Sequence, residues 1–164
     1  MNKKEISTLV NLLAKLKTEG LEMPNMPSVV WLAINKLVPL PAVEVLITRS
    51  GEEFRLVYRK DQYWDGWHIP GGFLFPKESI QKGCNRIARK ELGVSVKLIR
   101  IVTAHMWKDH PYGNPLSLVC ECSCIGKPKA GKFFTKIPKK MVPNHPEFLE
   151  AFLAQKGQNK NSSG

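Results

Sequence analysis

Acidic side chains are scarce in this sequence: 14 Asp and Glu stand against 25 Lys and Arg, a net charge of +11. That surplus favours anionic partners and admits nucleotide phosphates, nucleic acid and membrane surfaces alike. Long apolar runs are missing too. The longest, residues 29–41, is interrupted by Asn35, Lys36 and Pro39 and falls short of the roughly 20 apolar residues a spanning helix needs. After the basic start comes an amphipathic segment with Lys15 and Lys17, without the apolar core or small-residue cleavage site of a secretion signal. The expectation is a cytoplasmic chain with no membrane partner. Cysteine is sparse, with four residues. Cys120, Cys122 and Cys124 alternate, so on a strand they share one face. Their spacing matches no zinc pattern, and they are read as small, reduced side chains under a core. No internal repeat occurs. A chain of 164 residues, 43% hydrophobic and 24% charged, suits one globular domain and excludes disordered or fibrous architectures.

Ile6, Leu9, Leu12, Leu13 and Leu16 recur at helical spacing, with Gly20 at the expected stop. A second apolar segment opens at Pro27-Ser28 and closes at Pro39, a helix expected to pack beside the first. Residues 1–40 are thus read as a helical extension packed on the domain, with a homodimer contact as a further use. Two β-rich segments, 42–48 and 54–59, flank Arg49-Ser50-Gly51-Glu52-Glu53, a hairpin connection. A short strand over 67–70, a glycine-led loop over 71–77, a helix over 79–92 and a strand over 96–104 follow. Strands over 116–124 and 132–135 and a helix over 146–156 complete a domain spanning 41–156, and the polar tail 157–164 is expected to be disordered. The sum is an α/β fold with a mixed sheet between helices.

The chemistry concentrates in Gly71-Gly72-Phe73-Leu74-Phe75-Pro76-Lys77-Glu78 and the helix after it, which bears Arg86 and Glu91 and ends at Leu92-Gly93-Val94. Glycines let backbone amides and carbonyls approach a charged ligand, and the following helix presents carboxylates at fixed spacing toward a metal. Mg²⁺ takes a few hard oxygens and completes its shell with phosphates and water. The Gly71 carbonyl and the Glu91 carboxylate are the candidate ligands.

Gly72, Glu78, Arg86, Ala88, Glu91, Gly93 and Val94 stand in register with the Nudix box, and the chain resembles the Nudix hydrolases. The resemblance implies an α/β/α sandwich, a Mg²⁺ or Mn²⁺ cofactor and a small nucleotide substrate, with Gly72, Glu78 and Gly93 structural. Two of the box's three helix glutamates are replaced: positions 87, 90 and 91 hold Ile87, Lys90 and Glu91. The branch that cleaves GDP-mannose at the sugar carbon shows the same losses, and the chain is similar to it over roughly residues 39–145. That similarity implies catalytic roles for Glu44 and Arg59, where the branch has aspartate and arginine. It pairs Asn144 as metal ligand with His145 as general base. Arg59 and Arg86 would neutralise the diphosphate. Arg59, Trp107, His110 and Tyr112 would contact substrate, the last three from a loop over the site.

Each assignment has a plainer counterpart. Glu78 and Arg86 can serve as an ion pair tying loop to helix, His110 as an exposed loop residue, and His68 as a strand residue. The lysines at 127, 129, 132, 136, 139 and 140 are by default a solvated face. Two readings compete with the nucleotide-sugar hydrolase: a phosphoanhydride hydrolase using Glu78 and Glu91, and a catalytically impaired fold that binds nucleotide or RNA.

Overall fold

The computed structural model describes residues 1–49 and 52–161. Two helices, α1 (Lys3–Thr18) and α2 (Ser28–Leu37), precede a seven-stranded mixed sheet built from β1 (Leu40–Arg49), β2 (Glu53–Lys60), β3 (Asp65–His68), β4 (Gly71–Phe73), β5 (Ser95–Met106), β6 (Pro115–Ile125) and β7 (Lys132–Phe134). Helix α3 (Ile80–Leu92) lies between β4 and β5, and α4 (His145–Asn161) closes the chain. The central order is β3-β2-β1-β6-β5, with β4 on β1 and β7 on β2. Among the named strands of the described residues, β1 and β6 pair in parallel and the other pairings are antiparallel. This is the α/β/α sandwich expected.

Strand alternation explains the layers. Val43, Val45 and Ile47 of β1 join Cys120 and Cys122 of β6 and pack against Cys84, Ile87, Ala88 and Leu92 of α3. The opposite side chains, Leu46 and Val119, join Phe54, Ile69 and the α4 residues Phe148, Leu149 and Phe152. With both faces covered, β1 is buried from Val43 through Ile47, the continuous apolar run of a central parallel strand. Glu44 alone breaks that run.

Helix α3 is terminated as its sequence dictates. The Ser79 side chain accepts the Lys82 amide at its start, and Gly93 ends it at φ 69°, a left-handed turn that glycine takes without strain. Arg89 and Lys90 in the last turn face the negative end of the helix dipole.

Several expected boundaries shift. Residues 71–73 form β4 because their backbone pairs with Ala42, Val43 and Glu44, a pairing too short and too glycine-rich to announce itself. The first helix does not pack as expected. No residue of α1 is buried, and Ile6, Leu9 and Leu13 are exposed; α2 alone docks, through Trp31 against Phe73 and Tyr112 and through buried Asn35. The last helix continues to Asn161 instead of stopping at 156, while residues 162–164 of the expected tail, like Ser50 and Gly51 of the hairpin connection, lie outside the described residues.

Candidate active site

At the end of the sheet where α4 begins, the α4-facing core turns polar and opens into a cleft of about 200 Å³. It is smaller than the roughly 300–1,000 Å³ of a site that encloses a drug-sized ligand. Glu44, Arg59, Gly71, Trp107, His110 and Tyr112 line it, together with His68 and His145. Seven of these eight are residues the sequence singled out; His68 is the one it set aside.

Glu44 reaches the cleft because it alternates with Val43 and Val45, which face α3. Its carboxylate lies against Gly71 so closely that a Cβ there would sit 1.9 Å from Oε2, which is why this position is glycine. The Ser117 hydroxyl donates to Glu44 Oε1 at 2.8 Å, and the Trp107 indole N–H donates to the same hydroxyl at 2.8 Å. Trp107 therefore spends its polar group on holding Ser117 and forms the cleft wall. Burial pushes Glu44 up to about 8; the Ser117 bond opposes this, and the charge of Glu91 adds to it. Glu91 is pushed up to about 7 by burial, against the pull of Lys90, Arg59 and the Gly71 amide.

Glu91 does not itself line the cleft, but its charge adds to the cost of ionising Glu44, a cost that a divalent cation held near both carboxylates would relieve. Among the described residues no three His, Cys, Asp or Glu side chains converge on one point. An ion here therefore needs more than such side chains, with a carbonyl, substrate oxygens and water in its shell, as Mg²⁺ commonly has. The carboxylate losses have a plain structural account. Ile87 is buried in the α3 core beside Gly72, and Lys90 is exposed on α3.

The cleft's lining cation is Arg59 of β2, which is ion-paired to Asp61. Its charge helps hold three nearby histidines neutral. His68 and His110 are each lowered to about 4, by burial first and Arg59 after. His145 is held well below its ordinary value by burial and by the other two rings.

Hydrogen bonds then correct the expected role of His145. It is the first residue of α4 and buried, and its Nδ1 accepts the Ile69 amide at 3.1 Å. An amide only donates, so the neutral ring carries its proton on Nε2 and offers the cleft a donor, not a base. His110 is fixed the same way, its Nδ1 accepting the Tyr112 amide at 3.1 Å.

Two further expectations are corrected. Asn144 takes a left-handed φ of 66° before α4, and its side-chain oxygen pairs with His105 Nε2 at 3.3 Å, so it turns to β5 and away from the cleft. Arg86 does not line the cleft. It grips Glu78 with two nitrogens at 2.8 and 2.7 Å, donates to the Phe73 carbonyl at 2.8 Å, and stacks over Phe75. Glu78 in turn accepts the Phe75 amide at 3.0 Å. The pair shapes the glycine-led loop, which is the plainer role.

The mixed sheet between helices, the glycine-led loop with its following helix, and the cleft holding Glu44 and Arg59 beside them make up one recognisable domain architecture. The chain belongs to the NUDIX domain family, whose model matches residues 38–151. It is similar to the low-salt glycan biosynthesis protein Agl8 of Haloferax volcanii, with 36% identity over 69 residues, 42% of this chain and 44% of that protein. The match thus spans less than half of that relative's length. Among solved structures, the MutT NUDIX hydrolase of Burkholderia pseudomallei superposes with a TM-score of 0.62 at 18% identity, covering 70% of this chain and 98% of the other. The E. coli ORF135 protein does so with a TM-score of 0.62 at 22% identity, covering 77% and 95%. Nudix hydrolases generally use divalent metal ions and act on small nucleotide substrates.

Proposed function

We propose that this chain hydrolyses a nucleoside diphosphate sugar of the GDP-mannose kind at the sugar carbon, with Mg²⁺ or Mn²⁺ held by Glu91 and the Gly71 carbonyl. The observation that carries the proposal is the make-up of the cleft: one cation, Arg59, and two neutral imidazoles that present N–H groups, His110 and His145, surround a buried carboxylate, Glu44. Such donors stabilise a departing diphosphate. With Ile87 in the core and Lys90 in solvent, the carboxylate cluster that would drive water onto phosphorus is absent from α3.

In this mechanism the sugar enters the cleft and the diphosphate lies across Arg59, with Tyr112 at the rim against the sugar or base. The bound ion would supply positive charge to the diphosphate and keep Glu44 and Glu91 ionised. Glu44, fixed by Ser117, takes a proton from water as the oxygen bonds to the sugar carbon. The carbon–oxygen bond to the diphosphate breaks, its electron pair leaves with the diphosphate, and Arg59 with the two imidazole N–H groups neutralises the charge. Attack from the opposite face inverts the carbon. Similarity to a glycan biosynthesis protein supports a sugar-bearing substrate.

A small-molecule partner is favoured over RNA because the basic run is partly committed to the fold. Lys140 pairs with Asp65 at 2.8 Å, Lys132 stacks over Trp67, and Phe133 lies under Arg49 and Arg55. The test is turnover of GDP-mannose, other nucleotide sugars and nucleoside triphosphates in ¹⁸O-water. Label in the sugar with inverted anomer is expected. Label in phosphate would establish the phosphoanhydride reading, and salt-sensitive RNA binding without turnover the binding-module reading.

A further inference from the structure

The three histidines of the cleft are not equivalent. Each has its Nδ1 engaged by the backbone, and the sense of that bond dictates what its Nε2 can do. His145 and His110 accept amide protons at Nδ1, from Ile69 and Tyr112. His68 does the reverse: its Nδ1 lies 2.9 Å from the Ile69 carbonyl oxygen. A carbonyl only accepts, so the His68 proton sits on Nδ1 and its Nε2 carries a lone pair. One residue, Ile69, thus fixes two tautomers in opposite senses, through its N–H to His145 and its C=O to His68.

We propose that His68 Nε2 is a nitrogen ligand to the divalent cation, beside Glu91; this rests on an ion binding at Glu91 as proposed above. His68 Nε2 lies 3.7 Å from Glu91 Oε2. Two donors each about 2.1 Å from one ion stand about 3.0 Å apart at a right angle and about 3.6 Å apart at 120°, so one cation can bridge this pair with little movement. The Nδ1–H bond to a main-chain carbonyl is the arrangement that orients metal-binding imidazoles and raises their basicity. His110 and His145, with protons on Nε2, cannot take that role without losing their amide bonds. A nitrogen ligand also changes which ion the site prefers. Imidazole favours Mn²⁺, Co²⁺ and Zn²⁺ over Mg²⁺ relative to an all-oxygen shell, so the loss of carboxylates at 87 and 90 is offset by a donor from β3.

The test is pulsed electron paramagnetic resonance of Mn²⁺ bound to the full chain in the presence of GDP, with histidine labelled by ¹⁵N. Imidazole nitrogen coupling to Mn²⁺ is expected in the native protein, lost in His68→Gln and retained in His110→Gln and His145→Gln. A 10- to 100-fold weaker Mn²⁺ affinity is expected in His68→Gln, with a smaller loss for Mg²⁺. Mn²⁺ uptake by the native protein without nitrogen coupling would overturn this inference and leave the ion at Glu91 standing. Coupling that persists in His68→Gln would overturn it as well. No uptake at all would overturn both.

Discussion

The two faces of β1 are built for different purposes. Toward α3, Val43, Val45 and Ile47 meet Cys84, Ile87 and Leu92 in an unbroken apolar contact. Toward α4 the face is apolar only where Leu46 meets Phe148 and Phe152; one step along the strand it becomes Glu44, Ser117 and His145, all buried and all polar. The first face stabilises the domain. The second carries the chemistry in the proposed mechanism, at the cost of burying groups that would be more stable in water. A single residue along β1 separates the two faces, so the same strand that anchors the core aims the carboxylate.

If this division holds, substitutions on the two faces should fail in different ways. The largest effect on folding is expected from Ile47→Ala, which opens a cavity under α3 and should cost about 2–5 kcal/mol in urea unfolding. A cost below about 1 kcal/mol would mean that face is not the structural one. Glu44→Gln should show the opposite profile: at least about 100-fold lower kcat with KM little changed, and no loss of stability in the metal-free protein. If it unfolds the chain while sparing turnover, the two faces have been confused.

The pH dependence of the metal-free protein sharpens the same contrast. Glu44 and Glu91, raised to about 8 and about 7 from 4.5, hold protons in the folded state that the unfolded chain releases. Their contribution is present below the unfolded value and is lost as pH climbs through the folded values. His68 and His110, lowered to about 4 from 6.5, act the other way: their contribution is present above the unfolded value and lost as pH falls through about 4. Of these four groups, chiefly the carboxylates still titrate above about pH 6.5. Tm should fall between about pH 6.5 and 8.5, by about 2–4 °C for each kcal/mol lost, and Mn²⁺ with GDP should remove the fall. A Tm that rises over this interval breaks the account. The smallest effect is expected of Arg86→Lys, which keeps the charge but loses the two-pronged grip on Glu78: about 1 kcal/mol in stability and only a few-fold change in kcat/KM.

Much of this was legible in the residues. Alternation and helical spacing expose the layers, and the register of Gly72, Glu78, Glu91 and Gly93 marks the loop and helix that frame the site. Glu44 was marked by the similarity to the branch that cleaves at the sugar carbon. What stayed hidden depends on hydrogen bonds between distant parts of the chain. Whether His145 gives or takes a proton is decided by an amide 76 residues away, which no local pattern records. His68 looked like an ordinary strand residue because its lone pair matters only once Ile69 fixes the ring. Asn144 was misplaced because a left-handed turn sends its side chain to His105. The exposure of α1 was equally invisible, since an amphipathic helix reads the same whether or not anything covers its apolar row.

The most direct test of the account is calorimetric titration of Mn²⁺ into the native protein and into Glu91→Gln, with and without GDP. Uptake of one ion that tightens with GDP and disappears in Glu91→Gln is the result it requires. Absence of uptake by the native protein, or equal uptake by both proteins, would contradict it.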